Sequence, residues 1–402
     1  MNERFVYFDN INTTFPDPAV IEVLNEVLTS RSGNPSSHIH SAGISAARIL
    51  DQARGQVASL IGADQSSIIF TSGATEANNL AISGFIKANP SHQLVVSSIE
   101  HFSILNQANR LKRSGHKVTF IDVDRGGFVN TEQLEAALKA GPALVSIAMA
   151  NPEIGVIQDI NLIGEICKKY GAAFHCDATA AAAMLEIDIK AQNIDLLTLS
   201  GHNMYAPVGI GALYAGKQIA PLFEGGNQEM GLRPGTENFA GAAAMGKACE
   251  LIAQNRIQWN KELGRLGQWL WDSLAEKVPF IHFTGSMTKR LPGHVSFWVE
   301  HIEGESLLLL LNMKGVMASS GSACSSNLKG RDEEDLVASH VLTAIGVPND
   351  ICAGSITFSL SKYNIESDVD YVIEIMPGIV EKLLAMSPSY SDYIRKKELL
   401  HE

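Results

Sequence analysis

Cysteine is scarce in this chain: five among 402 residues, at positions 167, 176, 249, 324 and 352, with no C-x-x-C pair. That spacing excludes a disulfide framework or a zinc-ribbon site, and the odd count points to free thiols in a reducing compartment. Long apolar runs are missing as well. Stretches such as Leu307 to Leu311 fall far short of the roughly 20 residues that a bilayer-spanning helix needs. Basic residues are outnumbered, 31 against 43 acidic, for a net charge of −12, which removes the electrostatic footprint expected of a nucleic-acid binder. The start, Met1-Asn2-Glu3-Arg4-Phe5, lacks the basic-then-apolar pattern of a secretory signal. No internal repeat stands out. A cytoplasmic protein with neither nucleic acid nor membrane as partner is expected.

What is present is patterned apolar content. Hydrophobic residues make up 46% of the chain, enough for one large core and a second smaller one. Short β-rich runs alternate with helical periodicity from Ile61 to Tyr214, the signature of an α/β unit around a mainly parallel sheet. Strands are expected at Ile68 to Phe70, Leu94 to Ser97, Val118 to Val123, Leu144 to Ala148, Ala173 to Cys176, Leu196 to Leu199 and Gly211 to Tyr214. Helices are expected at Thr75 to Ile86, Ser103 to Arg113, Thr131 to Ala140 and Ile160 to Tyr170. A long helical pattern over 240–277 bridges to further strands at Ile281 to Phe283, His294 to Trp298, Val316 to Ala318 and Ile356 to Ser359. Helices at Glu305 to Met313, Asp335 to Ala344 and Glu366 to Met386 accompany those strands. The expected division is a large α/β domain over 15–255 and a small α+β domain from 1–14 and 256–402. The last dozen residues read as a loose polar tail.

Chemistry concentrates where the expected strands end. Gly73-Ala74-Thr75-Glu76 closes a strand and opens a helix, where backbone amides and the helix dipole hold a phosphate; by itself such a sequence is more often a plain turn and cap. His101 follows a β-run, Asp177 ends a strand, and Ser200 and His202 follow another. Together they mark the edge at which open α/β sheets bind ligands. Cys167, Cys249 and Cys352 read as small buried apolar residues. Cys324 differs, since it precedes Asn327-Leu328-Lys329-Gly330-Arg331-Asp332-Glu333-Glu334, a polar run with little to bury.

The ordered set of motifs resembles the NifS/IscS-type cysteine desulfurases of the class V aminotransferase family. The resemblance spans nearly the whole chain: Tyr7-Phe8-Asp9-Asn10, Gly33-Asn34-Pro35-Ser36-Ser37-His38, Gly73-Ala74-Thr75-Glu76, Glu153-Ile154-Gly155-Val156-Ile157-Gln158, Ser200-Gly201-His202, Gly231-Leu232-Arg233-Pro234-Gly235-Thr236-Glu237-Asn238, Glu303-Gly304-Glu305-Ser306 and Gly321-Ser322-Ala323-Cys324-Ser325-Ser326. It implies the fold type I architecture of pyridoxal-phosphate-dependent transferases, a large domain with a mainly parallel seven-stranded sheet plus a smaller α+β C-terminal domain. It also implies phosphate contacts from Gly73, Ala74, Thr75, Ser200 and His202, ring stacking by His101, and pairing of the ring nitrogen with Asp177. Thr236 is implied to reach the phosphate of a neighbouring subunit, hence a homodimer. Cys324 matches the sulfur-accepting cysteine, which becomes a persulfide and serves an IscU-type iron-sulfur scaffold.

The chain departs from this family at the place that matters most. After Ser200-Gly201-His202 the family has a lysine that forms an imine with the cofactor; here stands Asn203, whose amide is not nucleophilic. Pro152 replaces an asparagine, Ala180 a glutamine, Lys362 an arginine that grips the substrate carboxylate, and Val208 a nearby lysine. Three functions stay open on these residues. The first is a desulfurase-like protein without normal imine chemistry, using Cys324 to carry sulfur or to ligate a transient iron-sulfur cluster shared with its partner. The second is an active desulfurase converting L-cysteine with noncovalently bound pyridoxal phosphate, His101 moving protons. The third is a structural dimer that regulates an active paralogue.

Overall fold

The computed structural model describes residues 4–30, 32–320, 339–348 and 355–399. The chain opens with β1 (Val6–Tyr7), then α1 (Pro18–Thr29), which has Asp17 as its capping side chain, and α2 (Ser41–Ile61). Alternation follows: β2 (Ile68–Thr71), α3 (Ala74–Ala88), β3 (Gln93–Ser97), α4 (Phe102–Arg113), β4 (Val118–Ile121), α5 (Thr131–Leu138), β5 (Ala143–Ser146), α6 (Ile160–Tyr170), β6 (Ala173–Asp177), β7 (Leu196–Ser200) and β8 (Gly211–Ala215).

These strands form a seven-stranded sheet in the order β2-β8-β7-β6-β5-β3-β4. β3, β4, β5, β6 and β7 pair in parallel, while β8 runs antiparallel to both of its neighbours. The α/β reading of the sequence therefore holds. Runs such as Leu94-Val95-Val96 and Leu196-Leu197 are buried because helices cover both faces of a parallel sheet, which is why these strands read as continuous apolar stretches. One core, with Phe70, Val95, Val145, Phe174 and Leu197, lies on one face; another, with Leu80, Phe85, Leu94, Leu144 and Leu213, lies on the other.

α7 (Phe239–Lys277) then runs for 39 residues. Its first half packs Ala242, Met245, Ala248 and Ile252 into the core of the large sheet. Its second half carries Leu263, Leu266, Leu270 and Leu274, spaced for one helical face, into a separate core. Each of those leucines contributes about 1.5–3 kcal/mol by leaving water. That second core lies against β9 (Ile281–Phe283), β10 (His294–Val299) and, later in the chain, β12 (Ser355–Ser359), which form an antiparallel sheet ordered β12-β10-β9. α8 (Gly304–Met313), β11 (Val316–Met317) and α10 (Glu366–Met386) complete it, while α9 (His340–Ala344) packs Val341 and Leu342 against Ile99, Ile154 and Val156 in a smaller cluster. β1 pairs in parallel with β11, drawing Val6 and Phe8 into the same core.

Two expectations change. The last dozen residues were expected as a loose tail, but α11 (Pro388–Leu399) continues through most of them. Tyr390 and Tyr393, three residues apart and so on one helical face, set their rings 5.8 and 5.5 Å from that of Phe280. α1 and α2 had no counterpart in the periodicity reading. Of the helix expected over Asp335 to Ala344, the portion from His340 is described; Cys324, its loop and Cys352 lie outside the described residues. Cys167, Cys176 and Cys249 are buried free thiols, with burial pushing Cys167 and Cys249 up to about 12.

Candidate functional site

The C-terminal ends of β2, β3, β5, β6 and β7 open onto one cavity of about 490 Å³, the position at which a parallel α/β sheet presents side chains and helix N-termini to a ligand. Gly73, Ala74, Thr75, His101, Asp177, His202 and Asn203 all line it. Ser200 is buried just behind, and Thr236 is exposed on a separate segment outside the cavity lining.

The turn after β2 forms because Gly73 caps α3 and because Gly211 of β8 has no side chain. A Cβ on Gly211 would come within 2.7 Å of the Gly73 Cα. The first-turn amides of α3 have no partners within the helix, so they offer donors and a positive dipole end to an anion. Glu76 holds this end: one carboxylate oxygen accepts from the Ser72 amide at 2.8 Å, the other from Arg233 Nε at 2.9 Å. Burial pushes the Glu76 carboxyl up, but the bonds from Arg233 and Ser72 outweigh it and hold the group below its ordinary value. Arg233 is supplied by a turn in which Glu229 and Met230 adopt positive φ, 47° and 59°. That turn is tied down by a buried fork in which both Glu229 oxygens accept from Arg54 at 2.7 Å, one of them also from the Phe70 amide at 2.8 Å.

Asp177 ends β6 with both carboxylate oxygens engaged: Oδ1 accepts from the Thr179 amide at 2.9 Å, Oδ2 from Asn78 Nδ2 at 2.8 Å. Asn78 stands three residues after Thr75 on α3 and also bonds Ser103 of α4 at 2.9 Å. Two residues before Asp177, His175 is buried between the Ser146 and Thr198 hydroxyls, at 2.8 and 3.0 Å. Burial drives its imidazole down to about 4 against the pull of Asp177, so it is neutral at pH 7.

His101 caps α4. Its Nδ1 accepts from the Ser103 amide at 3.1 Å and faces the Ser103 hydroxyl at 2.8 Å. Accepting a backbone N–H at Nδ1 places the ring proton of the neutral form on Nε2. Next to it Glu100 is buried, accepts from the Ala148 amide at 3.0 and 3.1 Å, and is raised to about 8, mainly by burial and further by Asp177. Glu153, on the far rim, is raised by burial to about 7. Sequence reasoning missed Asn78 and Glu100, and it named Glu153 only as part of a motif, without a role. Only the adjacency of Glu100 to His101, and the spacing of Asn78 from Thr75, could have signalled them.

The wall around Asn203 is arranged differently. Asn203 Nδ2 donates to the Ile11 carbonyl at 2.8 Å. Pro152 contributes its carbonyl to His294 Nε2 at 2.9 Å, an approach made possible by Gly155 at φ 67°, where a Cβ would lie 2.5 Å from that imidazole. Lys362 does not line the cavity. It forms an ion pair with Asp17, and its ammonium lies 4.5, 4.3 and 5.2 Å from the ring centres of Tyr205, Trp259 and Tyr363, a cation–π enclosure. Burial pushes the Asp17 carboxyl up, while the bonds and charge of Lys362, with the Ala19 amide, hold it below its ordinary value. Among the described residues no lysine or arginine lines the cavity, no group of His, Cys, Asp and Glu is arranged to hold a metal, and no helix is long and apolar enough to cross a membrane.

The Aminotransferase class-V family model matches residues 6–372. A cysteine desulfurase IscS of Clostridium botulinum is 41% identical over 404 residues, covering 99% of this chain and 100% of that protein. Cysteine desulfurase 2 of Trichormus variabilis is 44% identical over 390 residues, 96% of each. A solved NifS-like protein superposes with a TM-score of 0.86 at 32% identity, covering 94% of this chain and 100% of that one. With this sheet order and these strand-end residues, the chain belongs to the cysteine desulfurase family of class V aminotransferases.

Proposed function

We propose that this protein is a desulfurase-like member of an iron-sulfur assembly system that holds a pyridoxal-phosphate-type ligand without covalent attachment and works through Cys324. The single observation that carries the reading is the absence, among the described residues, of any lysine or arginine from the cavity lining. Membership of the family implies pyridoxal phosphate, and the residues present fit that group in every respect but one. Ser200 Oγ and His202 Nδ1 are buried without a hydrogen-bonding partner among the described residues, next to the anion-seeking end of α3. Asp177, steadied by Asn78 and Thr179, is the counter-charge for a protonated ring nitrogen. At Asn203, where the family's lysine is expected, an amide already bound to Ile11 offers no amine.

When bound, the cofactor supplies an electron sink. The chain's own contribution is to hold its anionic end at α3 and His202, keep its ring nitrogen protonated through Asp177, and leave His101 Nε2 as a proton-bearing group at the rim. The substrate end is weak. Lys362 is committed to Asp17 and three aromatic rings, so an amino-acid carboxylate lacks its usual cationic fork. Losing a lysine that shuttles protons costs about 10²- to 10⁴-fold in rate. We infer that Cys324 instead receives the outer sulfur of a donor persulfide, releasing the donor thiol, or lends its thiolate to a cluster on an IscU-type scaffold. A cytoplasmic homodimer, with Thr236 reaching across, belongs to the same reading.

The test compares cluster yield on such a scaffold with the native chain and with Cys324→Ser. The native chain should raise the yield and the variant should not; equal yields would overturn the role of Cys324. A second reading, active desulfuration of L-cysteine with noncovalently bound pyridoxal phosphate and His101 moving the proton, is favoured by the names of the relatives at 41–44% identity. Sulfide release from free L-cysteine at a rate normal for such enzymes, abolished by Cys324→Ser, would establish it instead.

A further inference from the structure

Beside the main cavity lies a second space of about 10 Å³, with Asn10, Ile11, Thr179, Ala180 and Asn203 in its walls. The last four also line the main cavity, so the two spaces adjoin. The small one has room for a single group the size of a water molecule. Three oxygens of its lining residues, Asn10 Oδ1, Thr179 Oγ1 and Asn203 Oδ1, are buried without a hydrogen-bonding partner among the described residues.

Chemistry fixes which way the two amides face. Asn203 Nδ2 donates to the Ile11 carbonyl at 2.8 Å, and Asn10 Nδ2 donates to the Tyr7 and Ser359 carbonyls at 3.0 and 2.9 Å. Carbonyl oxygens only accept, so turning either amide over would set acceptor against acceptor. Each side chain is left with an unmet acceptor, and the Thr179 hydroxyl can serve as a third. Much of the remaining wall is apolar, including Ala183, Met184 and Leu360. Buried acceptors in such a place call for a donor.

We infer that this space takes an amino group, so that the chain binds the amine form of the cofactor, pyridoxamine phosphate, in preference to the aldehyde form. The inference rests on the reading of the main cavity as a pyridoxal-phosphate-type site. A protonated primary amine carries three N–H donors and no acceptor, the complement of three acceptor oxygens; an aldehyde oxygen is itself an acceptor and leaves them unmet. Charge acts in the same direction. Among the described residues no lysine or arginine lines the main cavity, so no cation of the wall opposes an incoming ammonium. Asn203 then has a task of its own: it presents an acceptor where an amine-bearing side chain would have occupied the space.

The test is calorimetric titration of ligand-free protein with pyridoxamine phosphate and, separately, with pyridoxal phosphate. A site built around hydrogen bonds rejects an analogue lacking the donor, so the amine should bind at least about tenfold more tightly. Asn203→Leu should lose that preference, bringing the two affinities within about threefold of each other, with Thr179→Val acting in the same direction should the first variant fail to fold. Equal or tighter binding of the aldehyde by the native chain, as a water-filled space would give, overturns the inference. So does a preference that survives both variants. Binding of neither compound defeats the underlying reading of the main cavity.

Discussion

The floor and the wall of the cavity are built by opposite rules. On the floor, polar side chains are held by other parts of the protein so that they keep something to offer: Asp177 by Asn78 and Thr179, Glu76 by Arg233 and Ser72, the His101 ring by Ser103. On the wall, the groups that would face an amino acid are turned inward. Lys362 pairs with Asp17 within an aromatic enclosure, the Pro152 carbonyl is taken by His294, and the Asn203 nitrogen is taken by Ile11. A preorganised floor beside a wall whose donors are already taken is a site that can retain a ligand while being poorly suited to turning over a substrate, because binding energy and transition-state contacts come from different residues.

Substitutions at the two places should therefore separate stability from binding. Lys362→Met strands the Asp17 carboxylate, whose side chain is 17% exposed, and removes the cation from three rings. Chemical denaturation should show a loss of about 3 kcal/mol, with ligand affinity unchanged; a parallel fall in affinity would mean that Lys362 takes part in binding after all. Asp177→Ala works in reverse. Removing the counter-charge of the ring nitrogen should weaken binding of a phosphorylated pyridine about 10- to 100-fold, read by titration, and binding unaffected by this change would break the floor's half of the comparison.

The smallest effect concerns Glu100, whose carboxyl is raised from 4.5 to about 8, chiefly by burial. Between those values the folded chain keeps a proton that the unfolded chain has lost, so stability falls as pH rises through this window and levels off above it. Glu100→Gln keeps an acceptor for the Ala148 amide and removes the titration. Its stability relative to the native chain should rise between pH 5 and pH 8 by on the order of 2 kcal/mol. A difference constant across that range would show that Glu100 titrates normally.

The sheet was readable in the sequence because buried parallel strands are runs of apolar β-formers bounded by turns, and β2 to β8 lie within a few residues of the expected positions. α2 was not readable for the opposite reason. Half of its buried residues are small, Gly43, Ala46, Ala53 and Ala58, and carry little hydrophobic contrast. The polar motifs at strand ends were legible as a set, and seven of those residues surround one cavity. Glu100 and Glu153 were not, since an acid in sequence looks like any surface charge until burial is known. Nor could sequence reveal that Lys362 turns toward Asp17, which depends on residues 345 positions apart. The expected tail went wrong because its charged residues hid Tyr393, which shares a helical face with Tyr390 just before it.

The central claim is that an asparagine at position 203 leaves the cavity without a covalent handle for the cofactor it otherwise fits. Native chain and Asn203→Lys, each mixed with pyridoxal phosphate, reduced with borohydride and analysed by mass spectrometry of the intact protein, put that claim to the test. The account predicts no mass gain on the native chain and a gain of one cofactor on the variant. A stoichiometric adduct on the native chain, localised to a residue of the cavity, would contradict it.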